Sequence, residues 1–330
     1  MTAAGPPSVS VVIPTIGRSP LLHRTLESVL RSQYPDLELV LVVNGDADLV
    51  SRVRPGEAGD RVVVVCEPRT GAARARNTGA RRATGSILFF VDDDVVLEPD
   101  TVRHAVEALC RASDVGVVTG RIRPVSVESD AQRLLEEYGG YDKGPEALRF
   151  GPDDFRRGGR LYPFLPGRLG SGAAMAMRRA TFESLGGFDE RLGPGTPTRG
   201  AEDLDLLVRV LKAGRLVEYT PSAVVWHGHR HELPALGRQL RGYGIGMGAL
   251  ATKEVCSDPV TAARMLARTP SGIRYAISPT SAKNARKTDY PWQLTAHELV
   301  GLLLGPLAFA TSALQSRRRA HAIRSSRWST

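Results

Sequence analysis

Between residues 9 and 119, short β-branched, apolar runs alternate with stretches whose apolar residues recur at helical spacing. No other feature constrains the fold as strongly. Val9–Pro14, Leu37–Val43, Arg61–Cys66, Ile87–Val91 and Val115–Thr119 read as buried strands. Ser19 and Pro20 open a helix that carries Leu22, Leu26, Val29 and Leu30 on one face. Gly71–Ala83 reads as an arginine-rich helix stopped by Gly85, and Pro99–Ala112 as a helix with Val102, Val106, Leu109 and Cys110 inward. Strands separated by helices predict a mostly parallel α/β sheet with its ligands at the carboxyl ends of the strands.

The second half is less regular. Ala131–Leu169 reads as a helix followed by long loops, and Ala173–Met177 as a strand before a short helix from Ala180 and a Gly186-Gly187 turn. Ala201–Ala213 is a helix whose buried stripe is Leu204, Leu207, Val208 and Leu211; Val224–His227 is a strand end, and Pro234–Ala251 is a helix. The expected division is a domain over 1–250, with halves 1–125 and 126–250, followed by a helical extension over 251–330.

Charge narrows the partners. Lys+Arg 44 against Asp+Glu 35 leaves a net charge of +9, almost all of it arginine, so an anionic partner is expected. Nucleic acid is not, because the basic residues are not interleaved with aromatics, which total only 6%. Cys66, Cys110 and Cys256 form neither a disulfide framework nor a metal pair, and Cys66 and Cys110 fall on apolar patterns that predict core positions. Met1–Ser8 is polar and small rather than a leader, which predicts a cytoplasmic protein. Leu299–Leu314 is nearly charge-free, broken by Gly305-Pro306 and followed by Arg317, Arg318, Arg319, Arg324 and Arg327. It is short of the roughly 20 residues a spanning helix needs, so it predicts either a surface-lying membrane segment on an anionic face or a buried helix.

Asp92-Asp93-Asp94 ends the Ile87–Val91 strand. Three adjacent carboxylates there repel one another, and a divalent cation such as Mg²⁺ or Mn²⁺ removes the conflict. Asn44-Gly45-Asp46 occupies the same rim, where an amide or carboxylate can meet a nucleobase or ribose. Arg76 and Asn77 lie near a helix start, a placement that favours phosphate. Glu202-Asp203 opens the 201–213 helix: acids there complement the helix dipole, and a carboxylate held over a reaction centre can also act as general base. His227, His229 and His231 alternate after Trp226; without cysteines at zinc spacing a zinc site is disfavoured, a single His, His227 by its position, joining the acidic cluster on one metal is favoured, and histidines on a solvated edge are the remaining reading. The glycines at 242, 244, 246 and 248 do not follow a strand, and neither GxGxxG after the first strand nor a GxSxG elbow occurs, which weakens dehydrogenase and hydrolase readings.

Taken in order, SVVIPTIGR (10–18), ELVLVVNGD (38–46), GAARARNTGARRATGSILFFVDDDV (71–95), GSGAAMAMRRATFESLGGFDE (170–190), AEDLDLLVRVLKAG (201–214) and Trp226-His227 resemble the family 2 glycosyltransferases of the GT-A fold, over about residues 8–250. The resemblance implies a nucleoside-diphosphate sugar donor, a divalent metal, and inverting transfer to a glycan, lipid-linked or small-molecule acceptor. It assigns Asp92 and Asp94 to the Asp-x-Asp motif, with Asp92, Asp93, Pro14, Thr15, Arg18, Asn44, Asp46, Arg76 and Asn77 on the donor. It assigns Asp203, paired with Glu202, to the base and His227 to the metal shell beside Asp92 and Asp94. Gly172, Gly187, Phe188, Asp189 and Trp226 fall on the acceptor side. Asn44 stands where the family usually has a base-reading aspartate, which leaves the nucleobase open among uracil, thymine and guanine. The QxxRW signature of processive synthases is absent, which favours single transfer. A catalytically silent relative and a metal-dependent nucleotidyltransferase are the rival readings, and the latter lacks its glycine- and lysine-rich loop.

Overall fold

Fully apolar strands need cover on both faces. In a computed structural model of the protein, which describes residues 5–45, 48, 61–153, 166–257, 259–278, 280–281, 284 and 289–326, they receive it. Strands β1 (Val9–Thr15), β2 (Leu37–Asn44), β3 (Val62–Glu67) and β4 (Ile87–Val91) form a parallel ladder in the order β3-β2-β1-β4. All seven residues of β1 are buried. Val9, Val11 and Ile13 face helices α1 (Leu22–Leu30) and, farther along the chain, Thr101–Cys110. Val12 faces helix α2 (Ala72–Arg82) on the other side. The small residues of α2 are what let it lie close: a Cβ on Gly79 would overlap Val12 and come within 2.9 Å of Val42 Cγ2.

The rest of the sheet is mixed. After β4 the chain turns through the aspartates and returns as β5 (Val95–Leu97). Helix α3 (Thr101–Cys110) leads to β6 (Val115–Pro124), and helix α4 (Asp130–Gly139) to β7 (Leu148–Phe150). Strand β8 (Ala174–Arg178) runs antiparallel between β4 and β6. Helices α5 (Arg179–Ser184) and α6 (Glu202–Lys212) precede β9 (Leu216–His227), which pairs in parallel with β6 and antiparallel with β5 and β7. β6 and β9 are both longer than expected, and β5 was not foreseen. α1 begins at Leu22 rather than at Pro20, with the Ser19 hydroxyl accepting from the Leu21 N–H. Cys110, expected in the core, is exposed at the last turn of α3, and Cys66 is half-buried.

The chain divides into two units: residues through Phe188 with Asp203–His231, which hold the sheet, and Asp189–Glu202 with Glu232 onward. The expected boundary at 250 therefore falls inside helix α7 (Leu233–Ser257). In this second unit α7 is followed by α8 (Pro259–Ile277) and α9 (Trp292–Ser326). α7 and α9 run side by side in the same direction and meet backbone to backbone. A Cβ on Gly244 would overlap the Glu298 carbonyl, and one on Gly248 or Gly305 would overlap the other helix. α9 continues through Gly305-Pro306, overturning the expected break. Proline denies the Leu302 carbonyl its helical partner, but that carbonyl lies against Gly248, where packing on α7 holds the helix straight on. The 189–202 segment belongs here too: Asp189 pairs with Arg191 and Lys253, and the Arg191 guanidinium stacks 5.2 Å from the Phe309 ring centre.

Candidate active site

Strand pairing brings the first functional group together. Because β5 doubles back from the aspartates and pairs Val95 with His227, the end of β4 and the end of β9 share a corner, closed by the Gly228 N–H donating to the Asp94 carbonyl at 2.9 Å. There, one oxygen each of Asp92 and Asp94 and a ring nitrogen of His227 lie within 4.8 Å of one another. His227 Nε2 is 3.4 Å from Asp94 Oδ1. Two carboxylates and an imidazole at this spacing form a donor set suited to a divalent cation.

The electrostatics fit that chemistry. Burial, opposed by the Thr15 hydroxyl and reinforced by the charges of Asp94 and Asp92, pushes the Asp93 carboxyl up to about 6. Burial and the neighbouring Asp92 raise Asp94 as well. Burial pulls His227 down to about 4, so its ring is neutral and able to ligate.

The polar residues around it are held before any ligand arrives. Thr15, at the end of β1, donates its hydroxyl to Asp93, and Thr25 of α1 donates to the Asp93 carbonyl at 3.1 Å. Arg76, buried on the first turns of α2, donates to Asp92 at 2.6 Å, with its guanidinium 5.5 Å from the centre of the Phe188 ring. The next residue, Asn77, clasps Phe188 with both ends of its amide, accepting from the Phe188 N–H and donating to its carbonyl, each at 2.9 Å. Gly187 takes φ +74° directly over that amide, where a Cβ would stand 2.7 Å from Asn77 Oδ1; this explains the glycine in the turn.

Asp203 completes the arrangement from the start of α6. Its Oδ2 accepts from the Gly172 N–H at 2.7 Å, and its Oδ1 accepts from the Leu204 N–H at 2.8 Å. Gly172 is the meeting point: a Cβ there would lie 3.0 Å from Asp203 Cβ and 3.5 Å from Arg76 Nη2, the nitrogen that also holds Asp92. The Asp203 carboxylate and the aspartate rim thus share neighbours.

Several expected site residues have other partners. Both Nδ2 hydrogens of Asn44 are committed, to the Glu67 and Arg69 carbonyls at 3.0 and 2.8 Å, and its Oδ1 accepts from the Gly71 N–H. Asn44 therefore splices β2 to the β3–α2 connection instead of donating to a nucleobase. Asp46 lies outside the described residues. Pro14 is buried in β1, and Arg18 is exposed beyond it. Phe188 is a core ring, packed edge-on to Phe90 at 4.9 Å and beside Phe182 at 5.5 Å. Asp189 is held by Arg191 and Lys253 and kept ionised by them against the effect of burial. Glu202, expected to orient Asp203, packs under Gly193, while Asp203 is oriented by the two backbone N–H groups. Trp226 donates its indole N–H to Glu98 at 3.2 Å and carries the Arg123 guanidinium 4.7 Å from its ring.

His229 does not lie on a solvated edge. Its side chain is fully buried, 3.1 Å from His227 (Nδ1 to Nδ1) and 2.6 Å from Glu136 of α4 (Nε2 to Oε1). Glu136 was not foreseen, since it lies 93 residues away from its partner.

The sequence profile of the family described as "Glycosyltransferase like family 2" matches residues 6–244. The chain is 28% identical over 225 residues to the glucosyl-dolichyl phosphate glucuronosyltransferase of Haloferax volcanii, covering 66% of this chain and 68% of that protein. It is 26% identical over 228 residues to the probable glycosyltransferase YdaM of Bacillus subtilis, covering 67% of this chain but only 50% of that one. To the O-antigen chain rhamnosyltransferase WbaN of Salmonella anatum it is 23% identical, over 68% of this chain and 67% of that protein. Among solved structures, the mannosyltransferase PcManGT of Pyrobaculum calidifontis, in complex with GDP-Man and Mn²⁺, superposes with a TM-score of 0.59 at 20% identity, covering 91% of this chain and 87% of that one. TarS 1–349 of S. aureus does so at 0.55 and 15% identity, covering 90% and 80%. With the sheet order and the profile in agreement, the chain belongs to glycosyltransferase family 2 and has the GT-A fold.

Proposed function

We propose that the protein moves one sugar from a nucleoside-diphosphate sugar to an acceptor hydroxyl, with inversion at the anomeric carbon and Asp203 as general base. The convergence on Gly172 carries this reading: the Asp203 carboxylate on one side, and Arg76 with the aspartate corner on the other. Each Asp203 oxygen accepts one backbone N–H and retains a second lone pair, so the group is aimed and can still take a proton from an attacking hydroxyl. Asp92, Asp94 and His227 would hold a divalent ion, Mn²⁺ or Mg²⁺, which when bound supplies charge against the departing diphosphate. Arg76 and Thr15 fix Asp92 and Asp93 in advance, so little reorganisation is left for the moment of reaction. Exposed Arg18 stands at the same strand end, suited to a phosphate.

The decisive variant is Asp203→Asn. It should lower turnover by about 10²–10⁴-fold while calorimetric binding of the nucleoside diphosphate stays near wild type; wild-type turnover would remove Asp203 as base. Titrating UDP, dTDP and GDP in turn with Mn²⁺ names the base, and binding of none by the folded protein would favour a silent relative. Similarity to enzymes named for a dolichyl phosphate and an O-antigen chain supports a lipid-linked or glycan acceptor over a small molecule.

We further propose that the protein works at the cytoplasmic face of an anionic membrane, with α9 lying in the plane of the surface. Trp292, Val300, Leu302, Leu303, Leu307 and Leu314 of this helix are exposed, and Arg317, Arg318 and Arg319 follow them in solvent. The apolar stretch Trp292–Arg319 is 28 residues and is long enough to span. An in-plane position is favoured because α7, packed along it, carries Arg238 and Arg241 on exposed positions. Leu303→Asp with Leu307→Asp should abolish sedimentation with vesicles containing anionic lipid; unchanged sedimentation would refute the placement.

A further inference from the structure

The metal reading above uses His227 as a ligand, but an imidazole can ligate only through a nitrogen that carries no proton. In a free ring either nitrogen can hold it. The surroundings of His227 remove that freedom. α4 opens with a capping box in which Gln132 receives the N–H of Ser129, and this fixes the helix against the chain entering it. One turn later Glu136 projects from the same face. Its Oε1 lies 2.6 Å from Nε2 of His229, a ring with no exposure.

A carboxylate accepts and does not donate, so His229 holds its proton on Nε2. In the neutral ring Nδ1 is then a lone pair, and the atom 3.1 Å away is Nδ1 of His227. Two lone pairs cannot face each other at that distance, so His227 carries its proton on Nδ1 and donates it to His229. The Nε2 of His227 is left bare and points to Asp94. Tyr141 packs beside both rings, its centre 5.2 Å from that of His227 and 5.7 Å from that of His229.

We infer that Glu136 and His229 are positioning residues: a two-member hydrogen-bond chain that fixes the His227 tautomer and presents its Nε2 lone pair to the metal corner. The inference rests on the metal reading only for its purpose, since the proton order follows from the hydrogen bonds of two neutral rings.

Two readouts test it in the full-length protein. Nitrogen-15 NMR of the histidine rings should show His227 in the Nδ1–H form without metal. Glu136→Ala should release it into a mixture and weaken Mn²⁺ binding, followed by electron spin resonance of the free ion, by about 10- to 100-fold. Glu136→Gln retains an accepting oxygen and should restore both, which a purely structural role would not require. The thermal midpoint of Glu136→Ala is read alongside, and His229→Gln serves if the alanine variant fails to fold. An Nε2–H form of His227 in the wild type would overturn the inference. So would an alanine variant with unchanged tautomer and Mn²⁺ affinity. A wild type that binds no Mn²⁺ yet keeps His227 as Nδ1–H would sink the metal reading and leave the proton order standing.

Discussion

At the carboxyl end of β2 and β3, Asn44, Glu67 and Arg69 answer one another; at the carboxyl end of β4, three aspartates crowd one corner with Arg76, Thr15 and His227. Glu67 lies in the first group, where burial would raise its carboxyl, but hydrogen bonds from the Arg69 guanidinium, Thr78 and the Arg69 N–H hold it at about 2. Asp93 and Asp94 lie in the second, where burial and mutual repulsion win. The two rims belong to one parallel ladder. Polar groups that satisfy one another build scaffold, and the carboxylates left crowded at the second rim are the ones on which the proposed cation site rests.

The contrast can be broken in three ways, of decreasing size. Asp94→Asn should lower transfer by about 10²–10³-fold yet, in chelator, raise the thermal midpoint by a few degrees because it relieves the crowding with Asp92. A loss of stability there would place Asp94 with the scaffold. Asn44→Ala should do the reverse. It strands the Arg69 carbonyl and the Gly71 N–H, while the Glu67 carbonyl keeps the Gly45 N–H, and should cost about 1–3 kcal/mol in urea unfolding, with turnover per folded molecule much less affected. The smallest effect is in acid. The Glu67 carboxyl sits below its ordinary value in the folded protein, so its stabilisation is complete above about pH 4.5 and drains away as the pH falls toward 2. Glu67→Gln should flatten that limb of the stability–pH curve and leave it unchanged near neutrality in slope; an unaltered acid limb would mean that other carboxylates govern it.

Much of the aspartate rim and of the fold was legible in the sequence because the signals are local. β-branched runs located β1, β2, β3 and β4, and the aspartates follow β4 without a gap. What was missed is non-local. Leu216–Thr220 mixes apolar residues with Glu218 and Tyr219, so the first half of β9 showed no strand pattern until β6 and β7 paired with it. β5 has three residues, too few for any period, and takes its identity from β9. Asn44 looked like a ligand-reading amide because its three partners come from residues 67–71 rather than from its own turn. Glu136 and His229 meet only in three dimensions. Cys110 fell on an apolar stripe but stands where α3 ends and its last turn faces out.

The place of β8 in the sheet bears on how the chain folds. Only the three-residue β5 and helix α3 separate β4 from β6 in the chain, yet in the sheet β8 lies between them, paired with both, so the sheet cannot close until residues 174–178 have been made. A nascent chain that has only just emerged past β6 holds two unpaired edges where the finished protein has none. Arg76, already positioned on α2, must likewise wait for the ring of Phe188 to cover it. The order of synthesis thus puts the donor-side strands first and their completion late, a topology of long sequence separation that favours slow folding and rewards protection of the exposed edges in the interval. Residues 1–125, read from the sequence as one half of the 1–250 domain, hold neither β8 nor β9, the strands that pair with β4 and β6.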